Sequence, residues 1–290
     1  MPELPEVETV VNDLRPHVKG QVICDVDVRL EKMIQLSLLK FRQLAIGSKV
    51  VQIGRRAKML LFKLDNGYTL IVHLKMSGQL IYQSSKDVNR GGGHPINHDI
   101  HDLPNKYTHI TIKFRGGRNL FFNDVRQFGY MTIIANKSLE KFYTEKKLGP
   151  EPFDKSFTFE IFLKKLSSHK NSSVKQILLS QTAVVGLGNI YVDEVLFKAG
   201  IRPTRRIKSL SRKELKKIYL NIPIILKLAI KKSGTTMQYF RRGDGRTGDM
   251  LKFLKVYGRE NKQCLRCKTS KIKRIRQGSR SSHYCPKCQQ

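Results

Sequence analysis

The chain has 290 residues, with 55 Lys or Arg against 23 Asp or Glu, a formal charge of +32. Apolar residues make up 40% of it, enough to bury real cores, so a wholly disordered basic tail is excluded. A membrane span is excluded too, because the most apolar stretch of the second half, Ile222 to Ile230, is broken by Lys227 and is too short for a bilayer. The length suits about two domains. The charge calls for a polyanionic partner, bound with a steep salt dependence. Ribosome-bound and chromatin-like packing proteins share such a charge, so composition selects no activity. No export signal is visible: Glu3, Glu6, Glu8 and Asp13 precede the first basic residue, Arg15, the reverse of a basic leader.

In chain order, the first predicted element is a helix with Pro5 in its first turn and Glu6 and Glu8 near its positive end. From Val22 to about Ala135 come short β-branched and aromatic runs: Lys49–Gly54, Lys58–Leu64, Tyr68–Leu74, Gln79–Gln83, Tyr107–Phe114, Asn119–Asn123 and Phe128–Ile134. Asp65-Asn66-Gly67 and Arg115-Gly116-Gly117-Arg118 read as hairpin turns. Many strands with short turns predict a two-sheet sandwich or a barrel. Cys24 falls on one side of the alternating run Val22, Cys24, Val26, Val28, Leu30, which predicts a buried, inert thiol. The polar stretch from Ser84 to Asn105 holds Gly91-Gly92-Gly93 and three histidines, His94, His98 and His101. A metal site is conceivable there, but no regular spacing would converge the rings, and a surface loop accounts for them.

Leu148-Gly149-Pro150-Glu151-Pro152 marks a linker. Helical character follows through Thr158–Ser167, Ser173–Gln181, Ile190–Ala199 and Ser211–Ser233, with capping-box spacing at Ser211 and Glu214. Gly243 to Gly248 reads as a further flexible loop. Gly186 and Gly188 permit tight backbone between two helices, with Asn189 suited to cap the second. A helix N-terminus of this kind is a ready phosphate site, although a helical hairpin without function has the same pattern.

Cys264-x2-Cys267 and Cys285-x2-Cys288, separated by the 17 residues Lys268 to Tyr284, predict one structural Zn²⁺ held by four thiolates, with a redox dithiol pair as the other reading. From Gln263 to the end there are eight basic residues and no acid, and Lys271 to Gln277 alternates apolar and cationic residues before the turn residue Gly278. The module reads as a β-hairpin that presents cations to phosphate. Arg280 lies just past the turn, able to enter a groove or simply to sit on a solvated face.

The acidic amino end is the feature that a nucleic-acid scaffold does not explain. Helix-dipole complementation accounts for Glu6 and Glu8 but leaves Pro2-Glu3. If Met1 is removed, Pro2 presents a secondary amine, nucleophilic near neutral pH, whose attack on a sugar C1′ gives a cationic iminium. Glu3 beside it can shuttle protons.

Met1-Pro2-Glu3-Leu4-Pro5-Glu6-Val7-Glu8-Thr9-Val10 resembles the amino end of bacterial formamidopyrimidine-DNA glycosylases, bifunctional enzymes that remove oxidised purines from DNA. The resemblance continues through Arg55-Arg56-Ala57-Lys58, His73-Leu74-Lys75-Met76-Ser77-Gly78, Asn123-Asp124-Val125-Arg126-Gln127-Phe128-Gly129, Gly186-Leu187-Gly188-Asn189-Ile190-Tyr191, Val256-Tyr257-Gly258-Arg259 and the four-cysteine finger. It implies Pro2 as nucleophile, Glu3 as general acid/base, Lys58 as a phosphate-contacting proton donor and Arg280 as a phosphate clamp. It implies further that Met76, Arg126 and Phe128 fill the gap left by a flipped nucleotide, and that Asn189 holds backbone near the lesion. Without the resemblance, Met76 and Phe128 would read as core.

The implied architecture is a multidomain α and β fold: a β-sandwich with a flanking helix (1–136), a linker (137–155), a helix-two-turn-helix domain with a lesion-side loop (156–258) and a zinc-finger β-hairpin (259–290). Sandwich and helical half would face each other across a DNA cleft. The implied partner is double-stranded DNA containing oxidised bases or abasic sites, bound by a monomer in the bacterial cytoplasm through association with the nucleoid. Lys75 stands where the family often has glycine, Gln127 where a second arginine is common, and Ser279 where glycine usually precedes the arginine. Two rivals remain. An endonuclease VIII-type enzyme for oxidised pyrimidines is disfavoured by Leu4, where that branch usually has glycine, and by the Met76, Arg126 and Phe128 set. A non-catalytic zinc-ribbon protein explains the charge and cysteines but not Pro2-Glu3.

Overall fold

Helix α1 (Leu4–Val18) starts where Pro5 is placed in its first turn. Glu3 and Glu6 form its capping box: the Glu3 carboxylate accepts the Glu6 backbone N–H, and the Glu3 N–H donates to Glu6 Oε2 at 2.9 Å. The computed structural model describes residues 1–84, 87–93, 103–235, 241–242 and 248–290. Two compact units contain them, Met1–Tyr143 with Lys232–Asp249, and Thr144–Lys231 with Met250–Gln290.

The first unit continues with β1 (Ile23–Val28), α2 (Leu38–Ala45), β2 (Val50–Arg56), β3 (Met59–Leu64), β4 (Tyr68–His73), β5 (Gly78–Ser84), β6 (Asp87–Gly93), β7 (Thr108–Phe114), β8 (Arg118–Asp124) and β9 (Tyr130–Ala135). Two antiparallel sheets result. One runs β1-β7-β8-β5-β6 and ends on β10 (Arg241–Arg242); the other runs β2-β3-β4-β9. The two-sheet expectation is met, with a common core in which Val10 and Leu14 of α1 meet Val26, Phe62, Val72, Ile110, Phe122 and Met131. The β7–β8 turn has Gly116 at φ +79° and Gly117 at φ +74°, the pair of positive φ values that a tight hairpin with native twist requires.

Two expectations fail here. The Ser84 to Asn105 stretch is not loop throughout, because β6 pairs with β5 over Asp87 to Gly93. A β-carbon on Gly91 would lie 2.1 Å from Leu80 O and 3.0 Å from Leu14 Cδ2. Gly91 lets the β5 backbone and the Leu14 side chain of α1 press against the strand, which a looser loop would not need. His94, His98 and His101 lie outside the described residues, as does most of Gly243 to Gly248. Cys24, expected to be buried, is exposed. The β1–β7 register shifts between Ile23 and Asp25, and this bulge turns Ile23 and Val26 inward in place of Cys24.

The second unit holds α4 (Phe159–Ser167), α5 (Val174–Leu179), α6 (Asn189–Ala199), α7 (Arg212–Lys231) and the hairpin β11 (Lys273–Gln277) and β12 (Arg280–Tyr284); α3 (Leu139–Glu145) precedes them. No helix among the described residues is long and apolar enough to cross a membrane. The Ser211 capping box forms, with Ser211 N donating to Glu214 Oε2 at 2.8 Å and Glu214 N donating to Ser211 Oγ at 3.2 Å.

Arg205 pairs with the same carboxylate and holds it at about 2, well below its ordinary 4.5. A carboxylate depressed in this way stabilises the fold above its unfolded pKa and loses that contribution as pH falls through the folded value. Glu214→Gln is therefore expected to lower Tm by about 2–4 °C at pH 7. The deficit should shrink as pH drops from 4.5 towards 2, which melting curves across that window will show.

Inside the unit, Lys175 and Asp193 are 1% and 0% exposed and pair at 2.7 Å. Lys175 Nζ also donates to Ser281 O at 2.8 Å, and Asp193 Oδ2 accepts the His283 N–H at 2.8 Å. Strand β12 is thereby bolted to α5 and α6 by a buried ion pair in which each partner also bonds β12 backbone.

Candidate nucleic-acid interface and active site

Pro2 and Glu3 are buried at the start of α1, Glu3 to 3%, while Met1 is 38% exposed. Lys58, 5% exposed, sits in the two-residue turn that joins β2 to β3, where Arg56 pairs with Met59. Ala57 in that turn has φ +55°, a left-handed conformation costing a residue with a β-carbon about 1–2 kcal/mol. Arg55 holds it in place, donating from Nη1 to Ala57 O at 2.8 Å and from Nε to Glu8 Oε2 at 2.9 Å. The Glu8–Arg55 pair thus ties the Lys58 turn to α1, immediately after the Pro2-Glu3 terminus. Sequence reasoning assigned Glu8 to the helix dipole and missed this bond; the Arg55-Arg56-Ala57-Lys58 motif was the available signal.

Met76 and Phe128 are not core. They are 39% and 52% exposed, each at the tip of a tight loop. Arg126 joins them: its guanidinium lies 4.8 Å from the Phe128 ring centroid, and Nη1 is 3.3 Å from Met76 Sδ. Two loops of different strands thus present one cluster. Asp124, fully buried, splices them together. Its Oδ1 accepts from Ser77 Oγ and from Arg126 N at 3.1 Å, and its Oδ2 accepts Gly129 N at 2.7 Å.

Glycine is required at both loop ends, since a β-carbon on Gly78 would lie 2.4 Å from Leu74 O and one on Gly129 would lie 2.6 Å from Phe122 Cζ. Lys75 adopts φ +50° and Gln127 φ +55°, the left-handed backbone that glycine takes most easily. Asp124→Ala is expected to cost about 3–5 kcal/mol through the stranded loop donors. Thermal melting reads that loss, and a parent-like melting curve would contradict the splice.

In the second unit, Asn189 is the first residue of α6; Gly188 occupies the capping position and no side chain caps the helix, so the expectation that Asn189 caps it is corrected. Its side chain instead turns towards Tyr257, with Nδ2 3.4 Å from the phenol oxygen, and its buried Oδ1 has no hydrogen-bond partner among the described residues. Glu194, one turn further on, accepts the backbone N–H groups of Lys255, Val256 and Tyr257 at 2.9–3.1 Å. Burial pushes its carboxyl above the usual range while these three bonds pull it back. Glu194 is a residue that sequence reasoning missed: it fixes Tyr257 beside Asn189.

The four cysteine Sγ atoms lie within 4.8 Å of one another, and Cys264–Cys288 and Cys267–Cys285 are each 3.8 Å apart. A tetrahedron of ~2.3 Å zinc–sulfur bonds spaces its sulfurs roughly 3.8 Å apart, so the cage fits Zn²⁺. Its electrostatics agree. Desolvation pushes the Cys288 thiol up, while the Thr269 backbone N–H draws Cys267 down, and metal binding would hold all four as thiolates. Four sulfur ligands leave no position for substrate, which makes the ion structural.

The hairpin forms as expected around Gly278 at φ +58°. Ser279 is not left-handed, so its backbone does not require glycine. Arg280 follows it, exposed, and its guanidinium makes no hydrogen bond among the described residues.

A sandwich with an acidic amino end, and a helical unit closed by a four-thiolate, cation-bearing hairpin, define a zinc-finger protein that grips a polyanion. Family models match in the same order: the formamidopyrimidine-DNA glycosylase N-terminal domain over residues 1–131, the H2TH domain of that enzyme over 148–241, and the zinc finger found in FPG and IleRS over 261–290. The formamidopyrimidine-DNA glycosylase of Pelotomaculum thermopropionicum is 40% identical over 290 residues, covering 100% of this chain and 99% of its own. That of Streptococcus mutans is 39% identical with the same coverage.

Among solved structures, Lactococcus lactis Fpg bound to abasic-site DNA superposes with a TM-score of 0.87 at 33% identity over 99% of both chains. A mutant form of the same enzyme with Fapy-dG-containing DNA gives 0.88 at 34% over 100% of both. The chain belongs to the formamidopyrimidine-DNA glycosylase family.

Proposed function

We propose that the protein is a bifunctional DNA glycosylase/AP lyase of base excision repair that removes oxidised purines, 8-oxoguanine and formamidopyrimidines, from duplex DNA. It works as a monomer in the cytoplasm, on nucleoid DNA. In this reading residues 1–136 carry the chemistry, 137–155 link, 156–258 grip DNA beside the lesion, and 259–290 form the finger.

The observation that carries it is the exposed Met76, Arg126 and Phe128 cluster. A folded surface gains nothing by holding two large apolar side chains in water beside a guanidinium, whereas an enzyme that flips a nucleotide must fill the vacated stack and satisfy the orphaned base. The Lactococcus structures with Fapy-dG and abasic-site DNA support the substrate class.

With Met1 removed, the Pro2 nitrogen attacks C1′ as the bond from C1′ to the base breaks, and the amine proton leaves with the base. The C1′–O4′ bond then opens, O4′ taking a proton from Glu3, and a C1′=N⁺ iminium remains. Because proline is a secondary amine, this cation has no N–H to lose and acts as an electron sink. Removal of a C2′ proton expels the 3′ phosphate, a second elimination expels the 5′ phosphate, and water frees Pro2. Lys58 donates to the phosphate at the reacting sugar. Asn189 and Arg280 hold flanking backbone, and Zn²⁺ fixes the hairpin that carries Arg280.

Borohydride reduction of enzyme mixed with an 8-oxoguanine duplex tests this. A covalent adduct mapping to Pro2 is expected, and no adduct, or one elsewhere, overturns the assignment. A parallel thymine-glycol duplex addresses the pyrimidine alternative, which the structure of Lactococcus lactis Fpg with oxidised-pyrimidine DNA keeps relevant.

A further inference from the structure

A cavity of about 260 Å³ lies within the second unit, between α6, α7, the 3₁₀ turn Met250–Phe253 and the first cysteine knuckle. Its floor is apolar, formed by Phe197, Ile225, Leu228, Met250, Phe253 and Leu265. Phe253 and Leu265 are 37% and 48% exposed, so the site continues as an apolar lip at the surface. Its rim is cationic. Lys198, Lys255 and Arg266 surround it, and Arg266 is held by stacking 4.1 Å from the Phe197 ring centroid and by donation to Lys198 O at 3.5 Å. The one carboxylate in the lining, Glu194, is buried and occupied by the backbone N–H groups of Lys255 to Tyr257. It leaves the three rim cations without a partner acid among the described residues.

The size and chemistry narrow the occupant. The cavity is smaller than the about 300–1,000 Å³ of sites that enclose a whole small molecule, and suits an inserted side chain. Phosphate backbone is recognised by cations and N–H donors and has no use for an apolar floor. Anionic groups flanking an apolar anchor satisfy both floor and rim.

We propose that this pocket docks a short acidic peptide segment of a partner protein, with one apolar side chain seated on Leu228 and Phe253 and flanking carboxylates paired with Lys198, Lys255 and Arg266. Apart from buried Glu194, which positions Tyr257, no lining residue has a part in excision, and Lys198 and Leu228 lie clear of it, so docking and excision are separable at those two positions.

The test uses the zinc-loaded, full-length protein and a fluorescein-labelled decapeptide with four aspartates followed by phenylalanine, read by anisotropy. Binding with Kd on the order of 10 μM is expected, weakened at least about tenfold by Lys198→Glu and by Leu228→Arg. Excision of an 8-oxoguanine duplex by both variants should match the parent, and unlabelled duplex should not displace the peptide. The proposal is overturned if a phenylalanine-free aspartate peptide binds as tightly, since the +32 field alone would then explain binding. It is equally overturned if duplex displaces the peptide, or if Lys198→Glu, a change at an exposed position that the fold tolerates, binds like the parent.

Discussion

Glu3→Gln is expected to lower the single-turnover rate of base excision by about 10²–10⁴-fold while leaving duplex affinity within about twofold. Glutamine retains an oxygen to accept the Glu6 N–H, so the capping box that starts α1 survives and the terminus keeps its place. What it loses is a group able to give up and take back a proton at the sugar. The separation of binding from turnover is the informative result. A merely structural Glu3, 3% exposed at a helix start, would lose stability and affinity together when changed. Rapid-quench excision on an 8-oxoguanine duplex, set beside anisotropy on the same duplex, distinguishes the two outcomes. Equal loss in both would remove Glu3 from the chemistry.

Stripping zinc, by chelation or by Cys285→Ser, is expected to weaken duplex binding at least about 100-fold and to reduce its salt dependence. The core around the cage consists of Phe197, Val256, Ile272 and the cysteines themselves, too little apolar surface to hold a finger of this size without metal. Metal binding in such modules is worth about 10–16 kcal/mol of folding free energy. Arg280 and the other hairpin cations lose their fixed positions when that is withdrawn. The opposing force is the Lys175–Asp193 pair, which grips β12 through Ser281 O and the His283 N–H. If affinity persists after verified zinc loss, that bolt alone holds the hairpin, and the metal has another purpose. Arg280→Ala in the loaded protein should cost about 1.5–3 kcal/mol of binding, one charge-assisted phosphate contact.

Much of the architecture was legible because it rests on local rules. Alternating β-branched runs and Gly-rich turns announced the sandwich, serine with glutamate three residues on announced α7, and two Cys-x2-Cys knuckles announced the zinc cage. The failures share one cause, long-range contact. Gly91-Gly92-Gly93 looked like a loop because nothing local shows that Leu14 and Leu80 press on that backbone. Cys24 looked buried because a bulge opposite β7 is invisible in the alternation of β1 alone. Asn189 looked like a cap because its neighbour Tyr257 is far along the chain.

The sequence by itself determined the polyanionic partner, the two-sheet and helical division, the metal and the family, since charge, periodicity, ligand spacing and motif order are properties of the chain read in one dimension. Only the tertiary structure decided that Met76, Arg126 and Phe128 form one exposed cluster, that buried Asp124 joins their loops, and that Glu8 and Arg55 moor the Lys58 turn to the first helix. Those facts depend on which side chains fold back to meet each other, and burial and hydrogen-bond satisfaction across strands settle that rather than any local preference.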